Sequence, residues 1–169
     1  MSRERRVAVI GVGNILMGDE GLGVHALAPL EGGLGELARS VEVVDAGTAL
    51  VDVIDDYVEC DAILLIDAVR GGGEPGAIYR FEPQALDGQG RTGVMTSLHE
   101  ISVLDALDLA RLGGREIPKL RVVGMEPETV KRSLEMSKTV RERLPQLVET
   151  VLDELRELLS REPRAERQE

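Results

Sequence analysis

The stretch RVAVIGVG at residues 6–13 decides the fold, because an unbroken apolar run rich in valine and ending in glycines is typical of a fully buried parallel strand. Two similar runs follow, VEVVD at 41–45 and DAILLIDA at 61–68. Helical patterns at 21–31 and 49–58 separate the three runs. The order β-α-β-α-β predicts a doubly wound parallel sheet with the first strand between the second and the third.

The two predicted helices differ in how they end. The helix at 21–31 should be cut short by Pro29 and by the pair Gly32-Gly33. The helix at 49–58 should turn one apolar face to the sheet. That face consists of Leu50, Val53, Ile54, Tyr57 and Val58.

The second half of the chain predicts two more strands and two more helices. Residues 76–82 alternate like a strand, and the loop RGGGEPG before them is too short for a parallel crossover, which needs about a dozen residues. This strand is therefore expected to be an antiparallel edge. A helix at 98–112, a strand at 119–125 (KLRVVGM) and a long helix at 137–160 follow, and Pro145 should kink the long helix.

Composition favours one globular domain over residues 1–160. The chain has 169 residues, of which 43% are hydrophobic, enough for one core. The last nine residues, REPRAERQE at 161–169, have almost nothing to bury and predict a disordered charged tail. The chain contains no apolar run of about 18 residues, so we expect no membrane association.

Charge and cysteine content limit the kinds of binding partner and the cellular compartment that we expect. A net charge of −11 without a one-sided basic run argues against nucleic acid and favours a protein or cationic partner. Cys60 is the only cysteine, so an internal disulfide is impossible. The basic start of the chain leads into an apolar run of about seven residues without a cleavage-like site, which predicts no export signal. We expect a cytoplasmic protein.

Acidic residues gather where the first three predicted strands end. The first strand leads into the Gly-rich loop Gly11–Gly23, which contains Asp19 and Glu20, while the second and third strands end at Asp45 and Asp67. Such strand ends meet in one crevice. A single acid there could merely cap the next helix, and Asp45 suits that role. Two adjacent acids in a tight turn repel each other, however, and a cation would relieve the repulsion.

Other residues of these loops are expected to support the loops or contact a substrate. Asn14 is the only asparagine, and its side chain could bond its own loop. Asp19, Gly47 and Thr48 are assigned to the same group, with the choice between support and substrate contact left open.

His99 is the histidine with a metal-ligand pattern. It lies in SLHE at residues 97–100, which also fits a capping box, and the two roles are compatible. A histidine in the first helical turn has a lowered pKa and keeps a nitrogen lone pair free. With two carboxylates from these loops it would form an O, O, N set suited to nickel, zinc or iron, but to none uniquely. His25 has no acid partner by spacing and is interpreted as a helix residue.

The sequence Gly11-Val12-Gly13 after a strand is also compatible with a dinucleotide-binding protein, in which Asp45 would bind the ribose. Leu16 occupies the position of the third glycine, and the nearby acids would face the pyrophosphate. The alternative to an enzyme is therefore a non-hydrolytic nucleotide-binding or nickel-handling module.

Five blocks in order resemble the hydrogenase maturation endopeptidases, which trim the C-terminus of the [NiFe] hydrogenase large subunit. The blocks are GNILMGDEGLG at 13–23, DAGT from Asp45, IDA around Asp67, SLH ending at His99 and VGMEPE at 123–128. Ala46 departs from the glycine that is commoner there. The resemblance implies a three-layer α/β/α sandwich around a twisted, mostly parallel five-stranded sheet.

The resemblance also implies roles for four residues. The positions of Glu20, Asp67 and His99 bind metal in that family, and the position of Asp45 is implicated in cleavage. The implied partner is a nickel-loaded large-subunit precursor, so nickel would arrive with the substrate and no permanently bound cofactor is expected. The mechanism could be substrate-metal-assisted, or aspartic-type with Asp45 and Asp67 sharing a proton.

Overall fold

The computed structural model describes residues 4–83, 108, 111–116 and 118–160. Its centre is a five-stranded sheet in the order β2-β1-β3-β5-β4. The strands are β1 (Val7–Val12), β2 (Val41–Gly47), β3 (Ala62–Ala68), β4 (Ile78–Phe81) and β5 (Lys119–Met125). β2, β1, β3 and β5 are parallel to one another, while β4 pairs antiparallel with β5 at the edge. Two predictions are confirmed: the first strand lies between the second and the third, and the fourth strand is an antiparallel edge.

Four α-helices have both ends within the described residues, and Asp108, Arg111 and Leu112 are also helical. The four are α1 (Leu22–His25), α2 (Leu27–Gly33), α3 (Leu50–Ile54) and α4 (Lys138–Ser160). Short 3-10 turns occupy Gly18–Gly21, Gly35–Arg39 and Asp55–Tyr57.

The end predicted for the first helix at Gly32-Gly33 is confirmed, but the predicted stop at Pro29 is wrong. The segment 21–31 is interrupted at Ala26, and the second piece continues through Pro29 to Gly33. Pro29 is the third residue of α2, where the missing N–H would have no intrahelical acceptor in any case, so it does not end the helix. In α4 the helix is continuous through Pro145. The expected kink there stays a prediction.

The two faces of the sheet pack against different helices, which gives the three layers. Val7 and Val9 of β1 belong to a buried cluster with residues of α1, α2 and α4. The intervening Ala8 and Ile10 belong to a second cluster with α3. Alternate residues of a strand point to opposite faces, so β1 is covered on both sides. The mostly parallel α/β/α architecture is thus confirmed.

The apolar face predicted for 49–58 is confirmed in its main members. Leu50 and Ile54 are buried in the cluster on the α3 side of the sheet, and Val53 and Tyr57 pack against it. The predictions for most of the helix at 98–112 and for the tail at 161–169 lie outside the described residues. Among the residues that are described, no helix is both long and apolar enough to cross a membrane.

Candidate active site

The carboxyl ends of β2, β1 and β3 meet at one edge of the sheet. Gly11 of β1 is paired with Asp45 on one side and with Ile66 on the other, and Asp67 directly follows Ile66. The Gly-rich loop leaves β1 two residues later. Asp45, Asp67 and this loop therefore share the edge at which ligands bind in doubly wound sheets.

Glycines let the loop and α1 lie against the strand ends. A Cβ at Gly13 would lie 1.9 Å from the carbonyl oxygen of Glu20, and one at Gly23 would lie 2.1 Å from that of Ile66. A Cβ at Gly11 would in turn lie 2.6 Å from the Gly23 carbonyl oxygen. Contacts within the chain thus account for the glycines of GVG, with no need for a pyrophosphate.

Asn14 supports its own loop. Its Oδ1 accepts a hydrogen bond from the Leu16 N–H at 2.9 Å, and its carbonyl oxygen accepts one from Met17 at 3.1 Å. This is the local side-chain turn that asparagine favours. Asn14 therefore supports its loop, and its contact with a substrate stays a prediction.

Asp19 fastens the loop to a distant part of the chain. Its side chain is fully buried, and Oδ2 accepts from the N–H groups of Glu128 and Thr129, both at 2.9 Å. Ser137 donates from its N–H to Oδ1 at 2.7 Å and from its hydroxyl to Oδ2 at 2.8 Å. Four donors compensate for the burial of one charge. Asp19 is a loop-support residue.

Glu20 differs from Asp19 although the two are neighbours in sequence. Its side chain is half-buried, and its carboxylate accepts no hydrogen bond from any residue that the structure describes. The two neighbouring acids therefore differ: protein donors satisfy the carboxylate of Asp19, while no described residue donates to that of Glu20.

Asp45 forms a turn and does not cap a helix. Its exposed carboxylate accepts a hydrogen bond at 2.9 Å from the N–H of Gly47, which has a φ of 50°. The next helix, α3, is preceded by Ala49 and has no side-chain cap. The capping alternative for Asp45 is thus wrong. Gly47 also accepts from the Gly13 N–H at 2.8 Å, which joins the two loops, and Thr48 is exposed.

Asp67 is the buried carboxylate of the edge. It is 5% exposed, and its Oδ1 accepts a hydrogen bond from the N–H of Ala68 at 2.8 Å. Its position at the end of a central strand comes directly from the register of β3 with β1 and β5.

Glu126 is a carboxylate of the same edge that the sequence analysis did not single out. It is 8% exposed, and its Oε2 accepts from the Gly71 N–H at 2.6 Å and from the Tyr79 hydroxyl at 2.9 Å. The Tyr79 oxygen accepts from the Gly73 N–H at 2.9 Å. Burial first, and then the hydrogen bond to Glu126, raise the pKa of Tyr79. Glu126 and Tyr79 together hold the RGGGEPG loop in place. The sequence feature that could have revealed Glu126 is an acid directly after the fifth strand.

The structure describes only one of the two histidines. His25 is the last residue of α1, as its interpretation as a helix residue requires. His99 lies outside the described residues, so the proposed set of Glu20, Asp67 and His99 remains a hypothesis. Among the described residues alone, no group of three or more His, Cys, Asp or Glu side chains could hold a metal ion.

The sheet and its edge define a small α/β protein with carboxylates at the carboxyl ends of its central strands. Comparison with known proteins identifies the class. The sequence profile of the hydrogenase maturation protease family matches residues 30–154. The hydrogenase 2 maturation protease of Escherichia coli (strain K12) is 31% identical over 153 residues, covering 90% of this chain and 92% of that protein.

Further relatives agree. The hydrogenase maturating endopeptidase HybD from E. coli has a solved structure with a TM-score of 0.72 and 29% identity, covering 90% of this chain and 93% of that one. The hydrogenase expression/formation protein HupD of Thiocapsa roseopersicina is 30% identical over 131 residues, but the chain spans only 57% of its length. The chain belongs to the hydrogenase maturation protease family. The chain is therefore a protease, and the alternative of a non-hydrolytic nucleotide-binding or nickel-handling module is set aside.

Proposed function

We propose that this chain removes the C-terminal extension of a nickel-loaded [NiFe] hydrogenase large-subunit precursor in the cytoplasm. The observation that supports this most is the shared edge, where the two strands that flank β1 carry Asp45 and Asp67 near their carboxyl ends and the loop from β1 contains Glu20. A carboxylate that accepts no bond from the described residues, at the same edge as a buried carboxylate, suits a cation that arrives with a substrate.

In this proposal Glu20, Asp67 and His99 bind the nickel carried by the precursor. Two carboxylates and one imidazole leave coordination positions for the precursor's own ligands. Metal geometry then positions the scissile bond, and the protease acts only on a loaded precursor. No permanently bound cofactor is required.

Asp45 is proposed as the general base. Its Oδ1 is held by Gly47, while no described residue donates to its other oxygen. Water adds to the scissile carbonyl carbon and its proton moves to Asp45. The C–N bond then breaks, and the proton passes to the departing amine. In the competing mechanism Asp45 and Asp67 share one proton and activate the water without nickel.

The decisive experiment compares nickel-loaded and nickel-free precursor, with the mass of the released peptide as the readout. Cleavage of the loaded form only, by protein shown to be largely nickel-free in elemental analysis, supports the substrate-metal mechanism. Comparable cleavage of nickel-free precursor would leave the two-carboxylate mechanism in its place.

Variants separate the proposed roles. Glu20→Gln and His99→Ala should abolish cleavage, while Asp45→Asn should lower kcat and leave precursor binding measurable. Asp52→Asn is the matched control, because Asp52 is exposed on α3 and belongs to no part of the edge. Full activity of Asp45→Asn would remove Asp45 from the chemistry.

A further inference from the structure

Four apolar side chains near Glu20 are exposed to solvent. Ile15 is 42% exposed, Leu16 56%, Val130 37% and Leu134 70%. The first two belong to the Gly-rich loop, and the other two belong to the segment between β5 and α4. We call these four residues the rim patch.

The backbone holds the two halves of the rim patch side by side. Met17 and Ser133 form a parallel bridge. The Ser133 N–H donates to the Leu16 carbonyl oxygen at 2.9 Å, and the Gly18 N–H donates to the Ser133 carbonyl oxygen at 2.9 Å. Leu16 and Leu134 are thus each one residue from the same bridge.

Asp19 adds further ties between the same two segments. Besides its side-chain bonds to Glu128, Thr129 and Ser137, its N–H donates to the Thr129 carbonyl oxygen at 3.1 Å. The rim patch is therefore a preformed surface, and an incoming chain need not order it. It lies next to Glu20, because the N–H of Glu20 donates to the carbonyl oxygen of Met17.

The charges around the rim patch differ from those of the whole chain. Lys131 and Arg132 are exposed between Val130 and Leu134, and neither forms an ion pair with any described residue. Two exposed acids, Glu128 and Glu135, flank this run. A paired basic site beside leucines stands out in a chain of net charge −11. It favours an apolar segment that carries a carboxylate.

We propose that the rim patch docks the large-subunit precursor, by a segment whose apolar side chains cover Leu16 and Leu134 and whose carboxylate pairs with Lys131 and Arg132. This inference rests on the proposed function and adds a second contact to it. The nickel reports whether the precursor is loaded, while the rim patch recognises the protein that carries it.

The test measures binding and cleavage of nickel-loaded precursor by the wild-type chain and the double variant Leu16→Ser/Leu134→Ser. Leu112→Ser is the matched control, because Leu112 is 86% exposed and distant in sequence from the rim patch. We expect the double variant to raise Kd at least about tenfold, with kcat at saturating precursor and the melting temperature nearly unchanged. Arg132→Glu should also weaken binding, most strongly at low salt.

Each result decides the matter. If the wild-type chain cleaves and the double variant binds equally well, the docking proposal is wrong and the proposed function stands. If the wild-type chain neither binds nor cleaves the loaded precursor, both are wrong. If sedimentation equilibrium shows a wild-type dimer that the double variant loses, the rim patch is a self-association surface and the docking proposal is overturned.

Discussion

At the scale of single residues, Asp19 and Glu20 show that neighbouring acids can differ in burial and in hydrogen bonding. The sequence predicts an acidic loop at the edge of the sheet, and the loop is there. It could not predict which of the two acids is buried, because the donors to Asp19 come from residues 128–137. Loop support by Asn14, in contrast, depends on a bond two residues away and follows from local chemistry.

Replacing Asp19 by asparagine should destabilise the protein. The amide keeps one oxygen, but its N–H₂ group must face either the one donor to Oδ1 or the three donors to Oδ2, so we expect a loss of about 3 kcal/mol in the free energy of unfolding. Denaturant unfolding measures it, with the exposed Asp52→Asn as a control that should change by under about 0.5 kcal/mol. An equal, small effect in both variants would show that the buried bonds contribute little.

Ionisation of Tyr79 should lower the free energy of unfolding at alkaline pH. Burial and the bond to Glu126 raise its pKa above 10.0 in the folded protein, so the folded state keeps a proton that the unfolded state loses. The stability is fully present below pH 10.0 and is lost as the pH rises through the raised pKa. The chain has two tyrosines and no tryptophan, so tyrosinate absorbance of wild type minus Tyr79→Phe isolates this titration. A midpoint at or below 10.0 would contradict the expectation.

At the scale of elements, apolar runs predicted the positions of the strands well. Proline and glycine predicted the ends of the helices less well. The third strand was expected at 61–68 and lies at Ala62–Ala68, because a buried run has few alternatives. Pro29 was expected to end a helix and does not, because its effect depends on its distance from the helix start. The preceding helix α1 packs closely on β3 at Gly23, a tertiary contact that local turn residues do not reveal.

Two glycines give a matched test of this packing. In Gly23→Ala the new Cβ would meet the carbonyl oxygens of Ile66 at 2.1 Å and Val12 at 2.5 Å, so we expect a loss of about 3 kcal/mol in unfolding free energy. In Gly32→Ala nothing lies within 4 Å, and the helical position should gain about 0.5–1 kcal/mol. Thermal and urea unfolding of both variants test the pair. Similar melting temperatures would mean that the loop can move away from the strands.

At the scale of the whole molecule, α4 is joined to the far edge of the sheet by a buried charge. Glu154 is 1% exposed, and its Oε1 accepts from the Arg80 Nε at 2.6 Å, while Arg121 of β5 lies 3.7 Å from Oε2. The helical spacing of apolar residues along α4 indicates a buried face, and Val151 and Leu155 lie in it. It could not predict a buried glutamate, because the partners come from β4 and β5.

Glu154→Gln should therefore weaken the attachment of α4. The amide cannot balance the two guanidinium groups, but the Arg80 side chain is 44% exposed and can be rehydrated, so we expect a loss of about 2 kcal/mol. Asp153→Asn is the control on the same helix, because its exposed pair with Arg156 should contribute under about 0.5 kcal/mol. Chemical denaturation compares them. Equal losses in the two variants would show that burial of Glu154 is irrelevant.

The bonds of Asp19 also set an order of events during synthesis. The partners of its carboxylate follow it by 109 to 118 residues, so the loop that presents Glu20 cannot be fastened while the ribosome is still making the middle of the chain. At about 5–20 residues per second, Ser137 follows Asp19 out of the ribosome by roughly 6–24 s. A nascent chain of this protease carries its acidic loop long before that loop is locked, which delays activity until the last helix begins to emerge.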